Sequence, residues 1–118
     1  MPRGDPLYKP LTGRIVIKLS DPDVTRRMMR VPLSRTSLIV ERCDVLADVD
    51  NVGDIRIGCE NIEAESTEVR GEELQPGIRM TLPRTDLAWW YVMGDTADDL
   101  VTWSAEQEVD RDGRPVNA

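Results

Sequence analysis

Histidine and phenylalanine are absent from this 118-residue chain, cysteine occurs only twice, and tryptophan and tyrosine together number five. Without histidine there is no imidazole to shuttle protons near neutral pH and no imidazole metal ligand. Ser-His-Asp triads, Cys-His pairs and histidine-containing zinc sites are therefore excluded within the chain. Long apolar runs are missing too. No segment approaches the roughly 20 apolar residues of a spanning helix, and Met1–Pro6 lacks the apolar core of a signal peptide. Two cysteines, Cys43 and Cys59, are too few for a secreted disulfide scaffold. Both fall in strand-like segments, so a bridge is geometrically open, but reduced, buried thiols are expected of a chain made in a cytoplasm. Positive charge is also short. A net charge of −7 argues against nucleic acid as a partner, because neutralising phosphates takes a cationic face.

What is present is unevenly placed. Residues 1–42 carry nine Lys/Arg against four Asp/Glu, a net +5, while residues 43–118 carry six against eighteen, a net −12. This polarity suits contact between copies, or a basic segment laid on an acidic neighbour in cis or in trans. The hydrophobic pattern has a period of two in several short segments, as half-buried strands require. Ile15, Ile17 and Leu19 alternate with Arg14, Val16 and Lys18. A second strand is expected over 28–33, and residues 37–47 and 55–57 follow. Val45 and Ala47 are expected to pair with Ile55 and Ile57 as a hairpin across the polar turn 48–53. After an acidic excursion over 60–73, Pro76-Gly77 turns the chain into Ile78, Met80 and Leu82. The apolar run Leu87–Met93 and the strand Leu100–Trp103 complete the set.

Six to eight short strands with regular turns predict a single all-β domain, a small sandwich or barrel spanning 14–105. Residues 1–13, broken by Pro2, Pro6 and Pro10, read as an extended N-terminal arm anchored by Leu7 and Tyr8. Residues 106–118 read as a flexible charged tail.

Motifs that carry chemistry are sparse. Asp48-x-Asp50-x-x-Gly53 begins like a calcium loop, but Val52 and Cys59 stand where two oxygen ligands belong. No metal or cofactor is expected. Arg3-Gly4-Asp5 matches an adhesion tripeptide without extracellular context. Carboxylates are abundant enough for glycoside chemistry, yet they occupy turns and outward positions where solvation accounts for them. Arg26-Arg27-Met28-Met29-Arg30 joins guanidinium groups to adaptable thioethers, both enriched at protein interfaces. In a strand, Trp89 and Tyr91 would face one way and Trp90 the other, so Trp90 is the candidate exposed aromatic. The candidate partner-contact residues are Leu7, Tyr8, Lys9, Arg14, Arg26, Arg27, Met28, Met29, Arg30 and Trp90.

One longer pattern stands apart from these. It runs Asn51-Val52-Gly53-Asp54-Ile55-Arg56-Ile57-Gly58, Asn61-Ile62, Leu74-Gln75-Pro76-Gly77, Asp86-Leu87 and Trp90-Tyr91-Val92, before the strand containing Val101. It resembles a run found in small head and tail accessory proteins of tailed bacteriophages, over roughly Arg42–Trp103. Cys59 replaces the usual second glycine, and the Glu63–Gly71 spacer is longer and more acidic. The resemblance implies an all-β virion protein without catalysis. Its favoured form is a capsid decoration, or cement, protein that binds the major capsid protein on the capsid exterior, typically as a homotrimer. A neck or tail component, or a domain that grips host-surface glycans, are the alternatives.

Overall fold

A computed structural model of the chain describes residues 6–18, 30–59 and 71–116. It is an all-β sandwich. Among the described residues ten strands are formed: β1 Leu7–Val16, β2 Val31–Pro32, β3 Ile39–Val40, β4 Arg42–Ala47, β5 Ile55–Gly58, β6 Glu72–Leu74, β7 Arg79–Leu82, β8 Thr85–Asp86, β9 Tyr91–Gly94 and β10 Leu100–Val109. They make one four-stranded sheet in the order β1-β10-β4-β7, a second in the order β2-β9-β5-β6, and a short β3-β8 ladder. Every pairing is antiparallel.

Alternation decides which side chains meet between the sheets. In β4, Cys43, Val45 and Ala47 are buried while Arg42, Asp44 and Leu46 turn outward; in β5, Ile55 and Ile57 are buried. They join Ile15, Ile17, Leu82, Val92, Val101 and Trp103 in one core. Gly13 sits on the inner side of β1, opposite Trp103, where a Cβ would overlap the indole.

The expected hairpin between 45–47 and 55–57 does not form. β4 pairs with β10 and β7, whereas β5 pairs with β6 and β9 in the other sheet. Residues 48–54 carry the chain between sheets instead, because side chains in and opposite the loop capture its backbone. Asn51 behaves as an extra ladder residue, its Nδ2 donating to the Leu100 carbonyl (2.9 Å) and its Oδ1 accepting the Leu100 N–H (2.7 Å). The buried Asp99 carboxylate accepts the N–H groups of Val52 (2.9 Å) and Gly53 (2.8 Å).

Two other expectations are corrected. Residues 7–13 are not a free arm: they are the first part of β1 and pair along their length with residues 103–109 of β10, from Leu7↔Val109 to Gly13↔Trp103. Pro10 is tolerated because β1 is an edge strand. The Ile17 N–H donates to Asp99 and the Ile17 carbonyl accepts from Asp98, so odd-numbered positions bond inward and the Pro10 nitrogen faces the open edge. The charged tail does not begin at 106 either, since β10 runs on to Val109. Asp110 then nucleates a turn, its Oδ1 accepting the N–H groups of Asp112 and Arg114 (2.9 Å each), and the chain returns so that Val116 N–H reaches the Glu108 carbonyl (3.0 Å). Glu106, Glu108 and Asp110 made this stretch look solvated, but in a strand only alternate positions need to be buried.

β4 pairs with β10 only as far as Glu106, so the start of β1 and the end of β10 extend beyond it as a ribbon. Overall extents are 60 × 25 × 22 Å with a radius of gyration of 16.0 Å, against about 13.5 Å for a compact chain of this length. Strand β2 covers only the end of the expected 28–33 segment. Residues 28 and 29 of that segment and most of the 60–73 excursion lie outside the described residues.

The two cysteines are free thiols in different surroundings. Cys43 is fully buried, and desolvation, followed by the nearby Asp44 charge, pushes its thiol up to about 12. Cys59 is exposed at the end of β5. A disulfide-exchange reagent at pH 8 is therefore expected to consume one thiol per native chain rapidly and a second only on unfolding. Two fast equivalents, or one fast equivalent remaining in Cys59→Ser, would contradict the placement of Cys43.

Candidate functional site

The outward face of the first sheet carries a surface groove. It has a volume of about 590 Å³ and crosses all four strands, from Thr12 and Arg14 on β1, over Thr102 and Ser104 on β10 and Asp44 and Leu46 on β4, to Arg79 on β7. A shallower depression of about 260 Å³ continues it toward Pro10, Arg42 and Glu106, sharing Thr12, Asp44 and Ser104. These side chains share a face because each takes an outward position of its own strand.

Charge in the groove is arranged around Asp44. The Thr81 hydroxyl donates to Asp44 Oδ1 (2.7 Å), and an Arg42 guanidinium nitrogen lies 3.7 Å from the same oxygen. The Thr81 hydrogen bond, then the Arg42 and Arg79 charges, hold the Asp44 carboxyl below its ordinary range. Among the described residues, neither Arg14 nor Arg79 forms an ion pair with a carboxylate. The groove thus joins two available guanidinium groups to a row of hydroxyls, within a chain whose net charge is −7.

Apolar surface gathers elsewhere, at the two ends of the molecule. At the ribbon tip, Leu7 and Tyr8 are each 50% exposed, and Val116 folds back beside Glu108. At the opposite end of β10, Val52 is 83% exposed, with Val49 and Ile78 also open to solvent on neighbouring turns. A Cβ added at Gly77 would lie in ordinary contact with the Val49 side chain, 3.7 Å away.

The sequence-derived candidates are not gathered into one surface. Leu7, Tyr8 and Lys9 occupy the ribbon, and Arg14 lines the groove further along β1. Arg30 is exposed just before β2, and Arg26, Arg27, Met28 and Met29 lie outside the described residues. Trp90 is corrected. It is partly buried against the core, with its Nε1 donating to Thr85 Oγ1 (3.0 Å), and the open indole is Trp89, 68% exposed. Strand alternation fails here because Leu87–Trp89 form a 3-10 turn capped by Asp86, whose carboxylate accepts the Ala88 N–H (2.9 Å). The same Asp86 accepts from Ser37 Oγ (2.6 Å) and the Leu38 N–H (2.9 Å); these bonds, led by Ser37, hold its carboxyl below the usual range.

Asp44, Arg79, Thr12, Thr102 and Ser104 were not singled out by sequence. Each carries the outward signal of its own strand, but their proximity depends on which strands are neighbours. The residues of the phage-like pattern have local structural duties. Asn51 clamps Leu100, a Cβ on Gly53 would overlap Asp95, Gly77 adopts φ +83°, and Asp86 caps the 3-10 turn. The calcium-like segment is a turn in which Asp48 Oδ1 accepts the Asp50 N–H (2.9 Å). Comparison with protein-family models, with curated proteins and with solved structures returned no match.

Proposed function

We propose that the chain is a non-enzymatic virion structural protein of a tailed phage that decorates the capsid lattice, bound to the major capsid protein on the outer surface. The observation that carries this reading is the apolar surface at both ends of an elongated sandwich: Leu7 and Tyr8 at the ribbon tip, Val49, Val52 and Ile78 at the other end. Two different patches on one subunit suit head-to-tail contacts, and such contacts generate a ring when the rotation closes. A ring of three around a local symmetry axis fits the cement role that the Asn51–Gly58 pattern implies. No cofactor, nucleic acid or membrane enters this role.

Purified protein is expected to run as a trimer, to add to empty phage heads in stoichiometric number, and to raise the temperature at which they disrupt. Leu7→Asp and Val52→Asp, each at an exposed site, are expected to yield folded monomers. Attachment to isolated tails but not heads would replace the capsid assignment with a neck or tail one. Attachment to neither would end the virion reading.

Trp89 favours one other function. An indole 68% exposed is a platform on which a sugar ring can stack, as a glycan-gripping domain requires. That reading predicts a tryptophan fluorescence change with host polysaccharide that disappears in Trp89→Ala.

A further inference from the structure

We propose that the outer groove of the first sheet is a docking site for an extended acidic segment of a partner protein, laid across the strands with carboxylates four residues apart. Arg14 and Arg79 stand at the two walls with no carboxylate at ion-pair distance among the described residues; Asp44, whose charge Arg79 also feels, is engaged directly by Thr81 and Arg42. The groove therefore attracts negative groups at its walls although the chain as a whole is acidic.

Spacing then narrows the ligand. From β1 to β7 the sheet order crosses three strand gaps, roughly 14 Å at about 4.8 Å each. An extended chain rises about 3.4 Å per residue and presents every second side chain to the same face. Residues i and i+4 of such a segment lie roughly 13–14 Å apart on one face, so two carboxylates at that spacing reach both guanidinium groups at once. Between the walls, Thr102 and Ser104 offer hydroxyls that donate to or accept from a peptide backbone, and Leu46 gives an apolar floor for the side chain at i+2. A guanidinium binds a carboxylate through parallel N–H donors, which fixes orientation as well as charge. A phosphate chain or sulfated sugar would satisfy the arginines and the hydroxyls but has no apolar group to set on Leu46, so a peptide is the better fit. The site is independent of the virion assignment, because its chemistry names the ligand and not the assembly.

The probe is a fluorescein-labelled heptapeptide with glutamate at its second and sixth positions and Thr-Val-Thr between them, titrated into the full chain and followed by anisotropy. Saturable binding below about 1 mM is expected at low salt. Arg14→Gln and Arg79→Gln should each weaken it by about 10-fold, the scale of one charge-assisted hydrogen bond. Arg35→Gln, an exposed arginine away from the groove, should leave it unchanged. A peptide with the two glutamates adjacent should bind the unmodified chain only as well as the first peptide binds either single variant. Circular dichroism checks that each variant is folded. Absence of saturation, equal affinity for both peptides, or indifference to Arg14 and Arg79 would overturn the proposal. Tighter binding of polyphosphate than of peptide through the same two arginines would overturn the peptide assignment.

Discussion

Gly13→Val is expected to destabilise the sandwich by roughly 3 kcal/mol, although valine is among the best strand residues and glycine among the poorest. Propensity alone, in which glycine gives up more backbone entropy than any other residue, would predict a gain of up to about 1 kcal/mol. Packing outweighs it. The inner side of β1 at this position is filled by the Trp103 indole, which is buried and lies where even a single Cβ would stand. The ring is rigid and held between β1 and the core, so accommodating a side chain means shifting the strand or rotating the indole out. Urea unfolding followed by tryptophan fluorescence should show a lower midpoint for Gly13→Ala and a lower one again for Gly13→Val. Combined with Trp103→Leu, the Gly13→Ala penalty should shrink by more than 1 kcal/mol, the signature of two residues sharing one space. Equal or greater stability in Gly13→Ala would refute this account of the glycine.

Asp99→Ala is the second large effect, again roughly 3 kcal/mol, but by loss of hydrogen bonds. The carboxylate is 4% exposed and accepts the Val52 and Gly53 N–H groups through separate oxygens. Removing it leaves two donors without their acceptor in a partly buried loop, and hydrogen bonds to a charged group are worth about 1.5–3 kcal/mol each. Asp99→Asn should recover little of the loss. An amide can present only one oxygen, and its NH₂ would be turned toward the other donor. A melting temperature at least 10 °C lower for both variants is expected for a domain of this size. Near-wild-type stability in Asp99→Asn would show that shape, not acceptor count, holds the loop.

The different causes of these two effects mark what could be read from the residues. Alternation identifies the inward faces of 15–17, 45–47 and 55–57 correctly, because burial on one face imposes a period of two whatever the neighbouring strand is. It did not identify neighbours. Val45 and Ile55 looked like hairpin partners from their closeness in sequence. The captures of Asn51 by Leu100 and of residues 52–53 by Asp99 span 46 to 49 positions, and no local pattern encodes them. At Trp89 a local signal competes with alternation: Asp86 before an apolar run is cap chemistry, and the turn it caps breaks the strand and leaves Trp89 as the exposed indole. The tail failed for a compositional reason. Gln107 is buried and donates to the Ile39 carbonyl (3.3 Å), a structural use of a residue that normally reads as surface. The groove was legible only one wall at a time, through Arg14.

The ladder between β1 and β10 also imposes an order of events in time. Its partners run from Val16↔Leu100 to Leu7↔Val109, so each contact closes a loop of 84 to 102 residues. Such closures are entropically costly and slow, and a chain dominated by them folds in milliseconds to seconds rather than microseconds. During synthesis the first strand leaves the ribosome well before its mate. At about 5–20 residues per second it waits roughly 5–20 s for residue 109 to follow. Throughout that interval Ile15, Ile17 and the hollow at Gly13 lack the strand and the indole that cover them. Pro10 and the cationic residues Lys9, Arg14 and Lys18 along this segment thus protect a nascent edge as much as a finished one.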